Sequence, residues 1–365
     1  METIKEGLAE IIVNDGTFYN AKMKRLRDMS VIFLKSLGLG SASVLDSTAA
    51  TGIRGIRYLL EALHGKAVLL DINPKAYANA QENIARNRLG SVAEAINASV
   101  QEFANGTAEK FDVIDLDPFG TPAPYVYDLL KLAKDNAVFM ITATDTATLC
   151  GAEGDACLRI YAARPARNEL CHEASLRILL AYVARIAAQF NFGIVPLFGI
   201  AELHYVRIFI RLEKGASKAV ASVKSIGAAS SCNKCHAFYY SLSPECAASV
   251  CANCGSRTEQ FGPLWLGKLY DKAAVARMLD IAEDPGIRAT LQGAFDGLDT
   301  PFFYSLDKIT EHMRMGSVQR SKVVELLKQQ HAEASATSFG RNAIKTNAGI
   351  KEIEKAVRLA SAGSK

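Results

Sequence analysis

The chain has 365 residues, 49% of them hydrophobic, which is enough to bury a full core and predicts two or three domains. It shows no basic and apolar regions of a secretory signal, and charges such as Arg177 and Arg185 interrupt its longest apolar stretches, so we expect a cytoplasmic protein without a membrane span. The net charge of +4 is unevenly spread: from Pro301 onward there are 11 Lys and Arg against 6 Asp and Glu, which fits a phosphate-binding appendage or, equally well, a Lys-rich helix surface.

Predicted strands and helices alternate in the first part of the chain. A helix over 20–37 ends at Gly38, and the elements after it are a strand at 44–45, a helix through Leu63, a strand at 67–70, a helix from Pro74 to about Asn87, a strand at 111–116, a helix over 123–133 and a strand at 137–142. This order predicts a parallel, doubly wound α/β sheet that binds ligands beyond the carboxyl ends of its strands.

The next elements predict the edge of this sheet. A long helix around Leu176 and Ile186 precedes two strands at 193–199 and 205–212, separated by a few residues. That spacing suits an antiparallel hairpin at the sheet edge. Such a hairpin on a Rossmann-like sheet is typical of class I methyltransferases rather than dehydrogenases, so we expect that fold class.

Small and polar residues at 215–230 indicate a domain boundary. Farther along, helices at 305–314 and 317–331 are separated at Gly316 with Ser317 as N-cap, and a turn-rich stretch at 338–347 precedes a last helix near Gly349. This order is winged-helix-like. The sequence therefore predicts three domains: a methyltransferase domain over 1–220, a cysteine-rich knuckle over 228–258, and a mainly α-helical C-terminal domain over 262–365.

The first strand-to-helix turn predicts a cofactor site. Asp46 ends the strand, Gly52 and Gly55 begin the helix, and the small residues 47–51 let the backbone pass close to a ligand. The pattern G-x-G-x-x-G is missing, which counts against a dinucleotide pyrophosphate, whereas S-adenosylmethionine has no phosphate. Asp71, at the end of the next strand, can accept hydrogen bonds from ribose hydroxyls. The alternative for each acid alone is an ordinary helix N-cap.

Two arginines are candidates for the methionine carboxylate of that cofactor. Arg54 lies at the helix entry and Arg27 in the N-terminal helix. A guanidinium binds a carboxylate through two parallel hydrogen bonds. Spacing alone leaves open that either is a surface arginine.

The segment Asp117-Pro118-Phe119-Gly120 follows the strand beside the predicted cofactor crevice. It is similar to the D/N-P-P-Y/F turn of amino-methyltransferases. The exocyclic amine of a base is a poor nucleophile, and a carboxylate that accepts its N–H stabilises the positive charge that grows during methyl transfer. Phe119 can stack on the base, and Phe18 or Tyr19 could hold a flipped base from the other side, unless this pair only packs an N-terminal arm on the core.

Four cysteines have the spacing of a structural zinc site. They are Cys232-x2-Cys235 and, after fifteen intervening residues, Cys251-x2-Cys254. Two such knuckles bring four thiolates to tetrahedral positions and leave no open coordination site. Cys246 and His236 lie nearby and are not expected to be ligands.

Together and in order, several segments resemble one family, the tRNA guanine-26 N2-dimethyltransferases. The resemblance extends over nearly the whole chain and rests on Phe18-Tyr19-Asn20 with Arg27-Asp28, Ala50–Arg57, Asp115–Gly120, Thr142–Asp145, Leu149–Ala152, Glu169–Glu173, Gly262–Gly267 and Ile344–Thr346.

This resemblance implies roles for individual residues. It implies Asp117 as the catalytic acceptor, with Phe119 and Phe18 stacking on a guanine. It implies cofactor contacts from Arg27, Arg54 and Asp71, transfer of one or two methyl groups to N2 of a guanosine, and tRNA as partner; no obligate protein partner is indicated. Where the family has an acidic pair near the adenine, this chain has Ala98-Ser99-Val100, so Ser99 is the candidate for that contact.

Two alternatives are compatible with parts of the sequence. The catalytic turn alone would permit an adenine-N6 or cytosine-N4 methyltransferase, but Phe119-Gly120 in place of Pro-Tyr/Phe counts against it. A zinc-ribbon and helix-turn-helix protein that binds nucleic acid without catalysis would not need Asp46, Asp71 and Asp117 in this order.

Overall fold

A computed structural model describes residues 3–202, 204–243 and 248–362. The chain starts with a hairpin, after which seven strands form the central sheet. In chain order the strands are β1 (Thr3–Glu6), β2 (Ala9–Ile12), β3 (Ser43–Asp46), β4 (Lys66–Asp71), β5 (Ala93–Asn97), β6 (Phe111–Leu116), β7 (Ala133–Ala143), β8 (Phe192–Glu202) and β9 (Tyr205–Lys214).

The strand order of the central sheet is β5-β4-β3-β6-β7-β9-β8. The first five strands pair in parallel, whereas β9 pairs antiparallel with both β7 and β8. The predicted doubly wound sheet with an antiparallel hairpin at its edge is therefore confirmed. β3 lies between its neighbours β4 and β6. Asp46, Asp71 and Asp117, which end or follow these three strands, therefore meet where the carboxyl ends of the strands lie side by side.

Helices connect and cover the strands. They are α1 (Lys24–Leu37), α2 (Ile53–Glu61), α3 (Pro74–Arg86), α4 (Val100–Gly106), α5 (Ala123–Leu130), α6 (Thr146–Leu149), α7 (Gly154–Tyr161), α8 (Cys171–Gln189) and α9 (Ala216–Lys224). The 3₁₀ turn Ala21–Met23 precedes α1. No helix in the described ranges is both long and apolar enough to cross a membrane.

The remaining elements form two small antiparallel sheets with helices. They are β10 (Ile226–Ser231), β11 (Phe238–Ser241), β12 (Glu259–Trp265), α10 (Lys272–Ile281), α11 (Pro285–Asp296), β13 (Tyr304–Ser305), α12 (Leu306–His312), α13 (Arg320–Gln329), β14 (Ala334–Ala336), β15 (Ala343–Thr346) and α14 (Ile350–Ala362). The sheet orders are β11-β10-β12 and β13-β15-β14.

The buried apolar residues form two cores. The larger core contains the central sheet and extends into β12, α10 and α11, whereas the smaller one joins the cysteine knuckle to α12, α13 and α14. Aromatic stacking contributes to the second core, since Phe238 lies 4.4 Å from Tyr304 between ring centroids. The knuckle therefore packs on the C-terminal elements rather than standing alone.

Buried charges connect the two parts of the chain. One carboxylate oxygen of Glu173, in α8, accepts hydrogen bonds from Arg177, from Nζ of Lys345 at 2.8 Å and from the backbone N–H of Phe302 at 2.8 Å. Glu173, Arg177 and Lys345 are all buried. Burial would raise the pKa of Glu173, but the two cations outweigh it and hold that pKa below its usual value. The ion cluster fixes β15 against α8.

Some local predictions need correction. The prediction that Ser317 is an N-cap is wrong, because α13 begins only at Arg320. The chain before it is not helical around Val318, whose side chain is buried. A serine does cap the preceding helix, where Ser305 accepts a hydrogen bond from the N–H of Lys308. The stretch 215–230, expected at a boundary, contains α9 and most of β10.

Candidate active site

The loops after β3, β4 and β6 bring the three predicted acids to one edge of the sheet. Asp46 is in register with Asp115 of β6, two residues before Asp117, and with Leu69 of β4, two residues before Asp71. The two key turns are also bonded directly, since the N–H of Asp117 donates to the hydroxyl of Thr48 at 3.0 Å.

The turn after β3 packs tightly on β4. Gly52 has a φ of 78°, a left-handed conformation that favours glycine. A Cβ at Gly55 would lie 2.9 Å from the side chain of Leu69. Gly52 and Gly55, predicted at the helix entry, are thus favoured by the backbone conformation there and by packing on the neighbouring strand.

Asp46 is buried, and one of its oxygens accepts from the N–H of Gly55 at 3.1 Å. Its other oxygen has no hydrogen-bond partner among the described residues. Burial and the nearby Asp115 raise the pKa of Asp46 to about 7. Asp71 is more exposed and accepts from the N–H groups of Ala50 and Asn73, each at 2.8 Å. The two acids therefore differ: Asp46 has a free buried acceptor, whereas Asp71 shapes the turns around it.

Arg54 forms an ion pair with Asp117. Its Nε lies 2.8 Å from Oδ2 of Asp117, and its Nη2 donates to the same oxygen. Nη1 of Arg54 is buried without a partner among the described residues. Burial would raise the pKa of Asp117, but Arg54 and Arg207 outweigh it and lower that pKa. The candidate catalytic carboxylate is therefore held in its ionised form.

A second layer of buried polar residues lies behind Asp117. Both oxygens of Asp115 accept from Nη2 of Arg207 at 2.9 Å, and Tyr58 donates its hydroxyl to the same carboxylate. Nη1 of Arg207 donates to the hydroxyl of Thr142 at 2.6 Å. Thr142 in turn contributes a hydrogen bond to Asp117. Arg207 and Tyr58 are not among the residues predicted from the sequence, although an arginine amid the apolar residues of 205–212 was a usable signal.

The turn that contains Asp117 and Gly120 is fixed on its other side by the loop after β7. Gly120 has a φ of 74°, its N–H donates to the hydroxyl of Thr144 at 2.7 Å, and its carbonyl accepts from the N–H of Thr144 at 2.9 Å. This leaves the side chain of Phe119 pointing away from the core, 75% exposed.

Phe18 and Phe119 meet although 100 residues separate them. Their ring centroids lie 4.6 Å apart, edge to face, and Phe18 is 50% exposed. Tyr19 is not part of this pair, because its hydroxyl donates to Glu6 at 2.9 Å and anchors the N-terminal arm. An apolar pair left exposed beside an ionised carboxylate is a surface on which a base could stack.

The other two predicted cofactor residues already have partners. Arg27 is buried and donates from Nε and Nη2 to the two oxygens of Glu6, at 2.7 and 2.5 Å, and from Nη1 to the carbonyl of Asn20. Ser99 is the N-cap of α4 and forms a capping box with Glu102. Their cofactor contacts stay predictions, since both side chains are occupied by local interactions.

Comparison with known proteins identifies the family. Residues 2–358 match the sequence model of the N2,N2-dimethylguanosine tRNA methyltransferases. The chain belongs to this family. The family and the enzyme class expected from the sequence, an S-adenosylmethionine-dependent tRNA (guanine-N2)-methyltransferase, are thereby confirmed.

Individual relatives match over almost the full length. The chain is 33% identical to the tRNA (guanine(26)-N(2))-dimethyltransferase of Methanothermobacter thermautotrophicus, over 97% of this chain and 98% of the relative. It is 35% identical to the enzyme of that name from Thermococcus kodakarensis, over 94% and 96% of the two chains. The solved complex of Trm1 from Pyrococcus horikoshii with S-adenosyl-L-methionine superposes with a TM-score of 0.87 at 31% identity, covering 98% of this chain and 99% of that one.

The four knuckle cysteines converge as the spacing predicted. All four sulfurs lie within 4.8 Å of one another, with 3.5 Å between Cys232 and Cys254 and between Cys235 and Cys251. These distances are far above the roughly 2.05 Å of a disulfide and near the roughly 3.8 Å that four sulfurs have around zinc. His236 is not in the cluster, since its Nδ1 pairs with Glu169 at 2.8 Å. Cys246 lies outside the described residues.

Proposed function

We propose that this chain transfers methyl groups from S-adenosyl-L-methionine to N2 of guanosine 26 in tRNA, and that it acts in the cytoplasm, where that substrate occurs. The observation that carries the proposal is the arrangement around Asp117: an ionised carboxylate, held by Arg54, beside the exposed rings of Phe18 and Phe119. The names of the full-length relatives support the choice of position 26.

The residues at the end of β3 fit the amino-acid part of the cofactor. The free oxygen of Asp46 suits an ammonium group, and the free Nη1 of Arg54 suits a carboxylate, so each unpartnered buried atom has a complementary charge to bind. We propose that Asp71 accepts from the ribose hydroxyls, with Arg27 and Ser99 as further contacts. The small residues 47–51 leave room for the ligand.

When bound, the cofactor supplies an activated methyl group; the protein supplies alignment and charge. The amine of guanine is a weak nucleophile because its lone pair is delocalised into the ring. We propose that Asp117 accepts one N–H of this amine and stabilises the positive charge that develops on nitrogen. Arg54 and Thr142 fix the position of this carboxylate, and they keep it ionised at neutral pH.

The aromatic pair must open to admit the base. A guanine between two rings requires them to lie about 7 Å apart face to face, twice the ordinary stacking distance, whereas Phe18 and Phe119 touch edge to face at 4.6 Å. We propose that the flipped guanine replaces this contact. Phe18 lies in the segment between β2 and α1, directly before Tyr19, and is not part of the central sheet, so the movement needs no change in that sheet.

The C-terminal elements are the proposed tRNA-binding part. The order β13-α12-α13-β14-β15, with β15 between β13 and β14, supports the winged-helix-like prediction for 262–365. We propose that a structural Zn²⁺ is held by Cys232, Cys235, Cys251 and Cys254, and that the knuckle at 228–258 supports this domain through the shared core.

The deciding experiment is methyl transfer from labelled cofactor to unmodified tRNA, followed by nucleoside analysis. We expect label in N2-methylated guanosine and none after the tRNA guanine 26 is replaced by adenine. Asp117→Asn should retain tRNA binding and lose at least 100-fold in turnover, the range expected for a charge-stabilising acceptor. Label in methyladenosine would contradict the substrate, and unchanged turnover of the variant would contradict the role of Asp117. Lack of cofactor binding in calorimetry would favour a non-catalytic nucleic-acid-binding protein.

A further inference from the structure

A second cluster of metal-ligating side chains lies apart from the four knuckle cysteines. Cys150, at the C-terminal end of α6, meets Cys171 and His172, the first two residues of α8. Their sulfur and ring-nitrogen atoms all lie within 4.8 Å of one another, the same separation that the knuckle cysteines satisfy. The three side chains are half-buried, and none has a part in the proposed methyl transfer.

We propose that Cys150, Cys171 and His172 form a second metal site for a thiophilic divalent cation such as Zn²⁺. Two thiolates neutralise the charge of the ion, an imidazole nitrogen is the third ligand, and the fourth position is open to water. Tetrahedral geometry with Zn–S near 2.3 Å and Zn–N near 2.05 Å places S and N about 3.6 Å apart. Sγ of Cys150 lies 3.9 Å from Nδ1 of His172, so this pair needs to move by only a few tenths of an ångström.

The hydrogen bonds that Cys150 makes within the cluster are long. Sγ of Cys150 has contacts at 3.8 Å to the carbonyl of Cys171 and at 3.9 Å to His172. A thiol is a weak donor and a weak acceptor even at shorter distances. Convergence of three soft or borderline ligands from segments 21 residues apart is the arrangement that a metal ion stabilises.

The position of the cluster gives the ion a structural consequence. Cys150 closes the short helix that follows Thr144, the residue that holds the catalytic turn at Gly120. Cys171 opens the helix that contains Glu173, whose ion pairs join the C-terminal part to the sheet. A bound cation would therefore connect the catalytic edge to the helix that positions the tRNA-binding part.

An ion can reach this site from solvent. Cys150, Cys171 and His172 are only half-buried, so solvent reaches all three side chains. The knuckle site lies elsewhere, because Cys232, Cys235 and Cys251 are buried in the second core. The two sites should accordingly differ in how readily they lose their metal.

The test is cobalt titration of the reduced, metal-free full-length protein, followed by thiolate-to-cobalt charge-transfer and d–d absorption. We expect two equivalents for the wild type and one fewer for Cys150→Ser. His172→Gln, a milder change, should also lose one equivalent or weaken the second site at least tenfold. Cys232→Ser should remove the other equivalent, which separates this site from the knuckle. Cys157→Ala, a buried cysteine outside the cluster, is the matched control and should bind as the wild type does.

Equal stoichiometry in wild type, Cys150→Ser and His172→Gln would overturn the proposal. So would peptide mapping of the freshly purified protein that finds Cys150 and Cys171 joined as a disulfide. Near-ultraviolet circular dichroism of each variant shows whether a lost equivalent accompanies a folded chain; if Cys150→Ser does not fold, the His172→Gln titration decides alone.

Discussion

Arg207 is expected to be the residue on which both the stability of the sheet and the state of Asp117 depend. Its guanidinium lies fully buried on β9 and donates to both oxygens of the equally buried Asp115 at 2.9 Å. Arg207→Met keeps the apolar length of the side chain and removes the charge. Asp115 is then left with only the hydroxyl of Tyr58 among the side-chain partners described above.

The expected cost follows from removing one partner of a buried ion pair, which typically destabilises a protein by about 3–5 kcal/mol. The matched control is Arg211→Met on the same strand, because Arg211 is 36% exposed and pairs with Glu213 near the surface. That pair is worth roughly 1 kcal/mol or less. The free energy of unfolding of both variants, measured by urea denaturation, should therefore differ by at least about 2 kcal/mol.

The double variant Asp115→Asn, Arg207→Met tests the reason for the effect. Because a neutral amide does not leave a charge unpaired, the double variant should be more stable than the sum of the two single effects predicts. Arg207 also lowers the pKa of Asp117, so the acid limb of the turnover profile should move to higher pH in Arg207→Met. Additive effects in the cycle, or a cost no larger than that of the Arg211 control, would refute the reasoning.

Three further predictions concern Asp46, Glu6 and the cysteine knuckle. Because burial raises the pKa of Asp46 to about 7, the charged form of this carboxylate is lost as the pH falls through 7. Cofactor affinity, measured by calorimetry, should therefore drop up to tenfold per pH unit below that value. A flat pH profile, or the same slope in Asp46→Asn, would argue against a contact between Asp46 and the cofactor's ammonium group. The pKa of Glu6 falls from 4.5 to about 2, because Arg27, Tyr19 and Arg57 outweigh the effect of its burial. The ionised Glu6 should therefore stabilise the fold by about 3 kcal/mol above pH 4.5, and this stabilisation should be lost progressively as the pH falls toward 2. In Glu6→Gln, the free energy of unfolding should depend less on pH over that range. Chelation should increase hydrogen exchange in 232–243, 248–254 and α14 before it affects the central sheet, and a purified protein free of zinc would contradict the four-thiolate site.

Local sequence signals determined much of this protein. The alternation of apolar strands and helices specified the doubly wound sheet. The spacing of apolar residues that distinguishes a strand from a helix can be seen within a short stretch of sequence. The spacing of the knuckle cysteines specified a four-sulfur cluster, since ligands separated by only two residues leave little choice of geometry. The acids at Asp46, Asp71 and Asp117 were predictable for the same reason: each follows or ends a parallel strand, and such strand ends share one edge.

Other features depend on contacts between residues distant in the chain, and only the tertiary structure decided them. Phe18 and Phe119 were each plausible base-stacking residues, but their contact needs the N-terminal arm to be anchored by Tyr19. The buried partnership of Asp115 with Arg207 spans 92 residues and follows from the insertion of β9 beside β7. Pairings of this kind depend on strand order and register, which no short segment encodes, because the electrostatic energy of a buried charge depends on what surrounds it in space.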